Sequence, residues 1–153
     1  LKKKPTWHDE QFINDIESKP FYGRRLDGYV LAELEIAVHR SNPFNPEQLE
    51  EITVDHLAPQ SLKGDWKKMF PKDKGEREML LGLLGNLVPL SQSDNSAKGA
   101  KDWNEAGCRL RNETIYRTAR EVLDQYAEWG PQQIHERTKQ LAELAVTRWP
   151  QQG

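Results

Sequence analysis

Between residues 51 and 59 the chain reads EITVDHLAP, a short β-branched run stopped by a proline, in a sequence whose other regular patterns step at helical spacing. β-Branched residues favour extended, half-buried backbone, and Pro59 cannot donate to a sheet ladder, so the run predicts a strand ending near His56. A second short extended run, NLVPL, begins at Asn86. Helices are expected near residues 6–18 and 26–40, the second with Leu31, Leu34 and Val38 at helical spacing, before SNPFNPEQ breaks the pattern. After the first strand a polar, lysine-rich loop should run to about residue 74, followed by a short helix, EREMLLGLL, that Gly85 stops. Ser93 or Asp94 can cap a helix running to about Trp103. In the last third, Ile115, Ala119, Val122, Tyr126 and Trp129 step by four, three, four and three along one helix face. Gly130-Pro131 should end that helix and start another, marked by Ile134, Leu141, Leu144 and Ala145, giving an antiparallel helix pair. The fold class is therefore α+β, mainly α, with a small extended core between helical flanks at about 6–40 and 111–149.

At 153 residues the chain suits one domain, able to bury roughly two thirds of its unfolded surface. Hydrophobic and charged fractions of 36% and 30% fit a soluble, helix-rich protein. The single cysteine, Cys108, excludes an internal disulfide or a thiolate-built zinc site and suits a reducing compartment, so a cytoplasmic location is expected. No run approaches the roughly 18 apolar residues of a membrane helix, and LKKKPTWHDE lacks the apolar segment of an export signal. A start at Leu1 rather than Met suggests a domain from a longer protein. The net charge of −2 offers no global attraction to nucleic acid. Locally, Lys63–Arg77 holds six basic residues against three acids, and Lys98–Arg120 the same ratio, in stretches that flank His56 and Asn95. Alternating charges on solvated helix faces would give the same composition.

Phosphodiester hydrolysis needs a nucleophile, neutralisation of the phosphate and usually a divalent metal. His56 is a candidate general base, and a carboxylate such as Asp55 with an asparagine carbonyl would suit magnesium or manganese. Successive strand residues point to opposite faces, so Asp55 and His56 share one site only if the backbone bends or the metal lies at the strand's edge. The competing reading is a structural Asp-His hydrogen bond, with Asn95 a helix cap and Asn86 a turn residue. His8, His39 and His135 lack a partner at metal-ligand spacing and are assigned to surface or packing; Cys108 is assigned as inert. The five tryptophans are assigned to packing, although Trp66 among lysines could stack on a base. The sequence contains neither a GxxxxGK phosphate loop nor a GxSxG elbow.

VDHLAPQS, Gly85-Asn86 and DNSAKG, with Asn95 nine positions after Asn86, closely resemble the His-Asn-Asn form of the HNH nuclease motif, the ββα-metal fold. The opening and the spacing also look like the HNH domain of RNA-guided CRISPR nucleases. The order DHLAPQ, LGNLVPL, the asparagine-lysine segment, and Trp129, Ile134, Arg137 and Leu141 is similar to the C-terminal nuclease domain of GmrSD-type restriction proteins over roughly residues 25–150. The upstream helix with Leu34 and Glu35 is compatible with it.

This resemblance implies a single nuclease domain over 1–153 with a ββα-metal core at about 52–104. His56 would be the general base, and Asp55 and Asn95 the ligands of a magnesium or manganese ion. Asn86 would hold the loop around the base through backbone hydrogen bonds, while Lys98 and Lys101 would contact nucleic acid. The implied activity is metal-dependent nicking of double-stranded DNA by a monomer or dimer, with no membrane association. The implied setting is phage restriction, alongside an N-terminal nucleotide-hydrolysing, sensing domain. The alternatives are a noncatalytic DNA-binding or protein-interaction module of the same fold, and cleavage of RNA.

Overall fold

The computed structural model describes residues 7–91, Trp103 and residues 114–150. Asn95, Lys98, Lys101, Cys108 and the helix expected from Ser93 or Asp94 lie outside the described residues. The described elements are mainly helical around one two-stranded antiparallel sheet. They run α1 (Trp7–Ser18), α2 (Asp27–His39), α3 (Pro46–Glu50), β1 (Ile52–His56), α4 (Trp66–Met69) and α5 (Lys74–Leu81). A 3-10 turn (Leu84–Asn86), β2 (Leu87–Ser91), α6 (Arg117–Gln125) and α7 (Pro131–Arg148) follow. No helix among the described residues is long and apolar enough to cross a membrane.

In the sheet, Ile52 pairs with Ser91 and His56 with Leu87. Pro89 fits because a two-stranded sheet has only edge strands, where a missing ladder donor is tolerated. The unbroken apolar reading of β2 follows from burial on both sides. Val88 and Leu90 join one core with Leu57, Ala58, Trp129 and Ile134, whereas Leu87 joins a second with Ile16, Leu31, Leu34 and Leu141. At roughly 25 cal/mol per Å² of apolar surface removed from water, these two cores provide the main force holding the helices on the sheet.

Several local expectations differ from the structure. Within SNPFNPEQ, Asn45 and Gln48 form a reciprocal capping box that starts α3. The lysine-rich loop contains the one-turn α4, whose Trp66 is buried at 3% exposure rather than offered to a base. Helix α5 ends at Leu81, with Gly82 rather than Gly85 as the residue that follows it, and Gly85 lies in the subsequent 3-10 turn.

The helix expected through Trp129 is shorter, because α6 stops at Gln125 and Ile115, half exposed, precedes it. Trp129 is nonetheless fully buried, in the short non-helical stretch between α6 and α7. Consequently α6 and α7 are not chiefly packed on each other as a helix hairpin. Helix α6 leans on α2 and β2, while α7 packs against α1 and the 3-10 turn.

Helix α6 is anchored by Glu35, a carboxylate buried inside α2. It accepts from the backbone N–H of Arg117, from Thr118 N at 3.0 Å and from the Thr118 hydroxyl. Two backbone N–H groups that a helix start leaves without an intrahelical partner, and one hydroxyl, thus meet a single carboxyl group. His39 Nε2 lies 2.9 Å from the same carboxylate, giving that histidine a packing role.

Candidate active site

His56 is the last residue of β1 and is 6% exposed. Asp55, one position earlier and opposite Val88, is half-buried. The chain leaves the ladder after His56: Leu57 N still donates to Asn86 O at 2.8 Å, and Leu57, Ala58 and Pro59 form a buried loop.

Asn86 holds that loop. Its side-chain oxygen accepts from Ala58 N at 2.8 Å and from the Trp129 indole at 3.1 Å. Its amide nitrogen donates to Ala58 O at 3.0 Å and Leu81 O at 2.9 Å. Two N–H groups facing the oxygen and two carbonyls facing the nitrogen define the amide's orientation. With no exposed surface, Asn86 has replaced water by four protein partners. One side chain therefore joins the end of α5, the loop after His56 and the chain before α7.

The turn carrying Asn86 is stapled in place by α7. Gly85 N donates to the Thr138 hydroxyl at 2.9 Å, and that hydroxyl donates to Ile134 O at 2.7 Å. Arg137 donates to Gly85 O at 2.6 Å and Leu87 O at 2.8 Å. A Cβ at position 85 would lie 2.2 Å from Ile134 O, so only glycine permits this approach. Burial pushes the Arg137 pKa down to about 10, against the pull of Tyr126, Glu35 and Glu121, leaving the guanidinium charged at neutral pH. An aromatic stack closes the far side of Trp129. Trp103 lies parallel to it at 5.2 Å and donates to Tyr126 O, and the Tyr126 ring meets Trp129 edge-on. Burial also pushes the Tyr126 hydroxyl pKa up.

Trp129, Ile134, Arg137 and Leu141, spaced along the sequence, thus gather at the turn or its adjoining core. Thr138 completes the staple; its helical position next to Arg137 is the signal that could have identified it.

Tyr22 had no comparable sequence signal. Its ring packs edge-on against the His56 imidazole at 4.3 Å while remaining 42% exposed. Among the described residues no group of three or more His, Cys, Asp or Glu could hold a metal. A site of one carboxylate and one amide would not form such a group. The Asp55 carboxylate is a hard-oxygen donor compatible with magnesium or manganese.

A family model described as GmrSD restriction endonucleases, C-terminal domain, matches residues 7–144. No curated protein and no solved structure matches the chain.

Proposed function

The chain belongs to the family of GmrSD restriction endonuclease C-terminal domains, and on that premise we propose that it is a metal-dependent HNH endonuclease that nicks double-stranded DNA. The supporting observation is the Asn86 clamp on Ala58, two residues beyond His56, which fixes the backbone leaving the base. In this reading His56 takes the proton of the attacking water, a role suited to imidazole near neutral pH. Asn86 acts through His56 by holding its loop. Asp55 and Asn95 would hold magnesium or manganese, which when bound supplies charge neutralisation at the phosphate and at the leaving oxygen. Lys98 and Lys101 contact the substrate backbone. One such site cuts one strand, so a monomer nicks, and a double-strand break needs two events or a dimer.

The biological reading is a cytoplasmic effector of phage restriction, restrained by an N-terminal nucleotide-hydrolysing, sensing domain. The burial of His56 beneath Tyr22 favours a second reading, a DNA-binding module without turnover. Purified wild type and His56→Ala, incubated with supercoiled plasmid with and without magnesium or manganese, separate the two. Metal-dependent open circles that disappear in the folded variant support the nuclease. Tight DNA binding with no metal-dependent cutting supports the module, and wild-type nicking by His56→Ala refutes the base assignment.

A further inference from the structure

The cleft between residues 20–22 and α5 is not used by the chemistry proposed above. Pro20, Tyr22, Gln60, Arg77, Glu78 and Gly82 help line a space of about 530 Å³, within the roughly 300–1,000 Å³ typical of ligand sites. Tyr22 is among the lining residues, and its ring touches His56, which brings the cleft next to the proposed base. The Tyr22 backbone is held firmly: Phe21 N and Tyr22 N both donate to Gly82 O, at 2.6 and 3.0 Å. A Cβ on Gly82 would meet Pro20 Cβ at 3.0 Å, so the glycine admits this close packing.

Arg77 also lines the cleft, and its Nη1 donates to Pro71 O and Lys72 O at 3.4 and 3.2 Å. A guanidinium has further N–H groups on its other nitrogens, in the fork geometry that suits phosphate. The Glu78 carboxylate in the same cleft lies 3.7 Å from the Lys74 ammonium. With the exposed amide of Gln60, the lining offers an aromatic ring, a guanidinium and an amide beside the Glu78 carboxylate. The first three groups respectively stack on a base, neutralise a phosphate and hydrogen-bond a base edge.

We infer that this cleft seats one nucleotide of the strand being cut, with its base against Tyr22 and its phosphate against Arg77. The inference rests on the endonuclease reading of His56. A base resting on Tyr22 has left its stack, so the cleft favours single-stranded or locally opened nucleic acid.

The test uses the whole chain with a fluorescein-labelled single-stranded DNA dodecamer in EDTA, read by fluorescence anisotropy. Tyr22→Ala should weaken binding by about 5- to 100-fold, and Tyr22→Phe should stay within about twofold of wild type. Arg77→Gln should lower the slope of log K against log salt by about 0.7, the contribution of one single-strand phosphate contact. Equal affinity in wild type and Tyr22→Ala, an unchanged slope in folded Arg77→Gln, or no dodecamer binding by folded wild type overturns the inference. Plasmid nicking separates it from the underlying reading. Tyr22-dependent binding by a wild type that never nicks retains the cleft and ends the nuclease reading. Nicking by Tyr22→Ala at wild-type KM does the reverse.

Discussion

Asn86→Asp changes almost no volume but replaces a donor by an acceptor facing Ala58 O and Leu81 O, which lie 3.0 and 2.9 Å from the present amide nitrogen. Two hydrogen bonds are lost, and a buried carboxylate faces two carbonyl oxygens. Together these should cost about 3–5 kcal/mol, much of the roughly 5–15 kcal/mol that holds a domain folded. Burial and the carbonyls favour the protonated carboxyl, which can still donate to one of them. The introduced group's folded pKa is therefore raised above its unfolded value. Its penalty is absent below the unfolded pKa near 4, grows as pH rises through the interval, and is complete above the folded pKa. Urea denaturation of both proteins, followed by circular dichroism at about pH 5 and about pH 7.5, should show a smaller deficit at the lower pH. A deficit below about 1 kcal/mol at the higher pH, or one identical at both, would refute the described orientation of Asn86.

Gly85→Ala places its methyl 2.2 Å from Ile134 O and 2.6 Å from Thr138 N, atoms that move only with α7. It should cost about 3 kcal/mol or more and lower Tm by roughly 6–12 °C in thermal denaturation. Trp129→Phe keeps the packed ring but loses the indole bond to Asn86. Chemical denaturation should show a loss of about 1 kcal/mol beyond any packing change, and a double-mutant cycle with Asn86→Ala should recover that coupling. Asp55→Asn should leave folding intact and raise the half-maximal magnesium concentration for nicking by about tenfold or more; an unchanged magnesium titration removes Asp55 from the ligand set.

Both strands were legible because their causes are local. β-Branched Ile52, Thr53 and Val54 precede a proline stop, and Leu87–Leu90 form a short apolar run buried from two sides. Gly85 differs from the expected helix stop because its need for glycine comes from Ile134 and Thr138, far along the chain, whereas α5 has already ended before Gly82, whose right-handed backbone is not the left-handed glycine cap. Trp129 fitted a helical stride by coincidence; its burial is produced by Asn86, Trp103 and Ile134 rather than by membership of α6. The motif drew attention to His56 and Asn86, but only the fold brings the exposed aromatic Tyr22 against the imidazole. The partners expected beyond Asn86, Asn95 and Lys98, remain readings of the motif because they lie outside the described residues.

The bond from Gly85 to Thr138 spans 53 positions. During synthesis, the entire VDHLAPQS-to-Asn86 stretch emerges from the ribosome before the helix that braces its turn. A contact this distant carries the entropic cost of closing a long loop. The stretch from His56 to Asn86 is thus translated ahead of its brace, so a chain interrupted before Trp129 carries these residues without the scaffold that joins them.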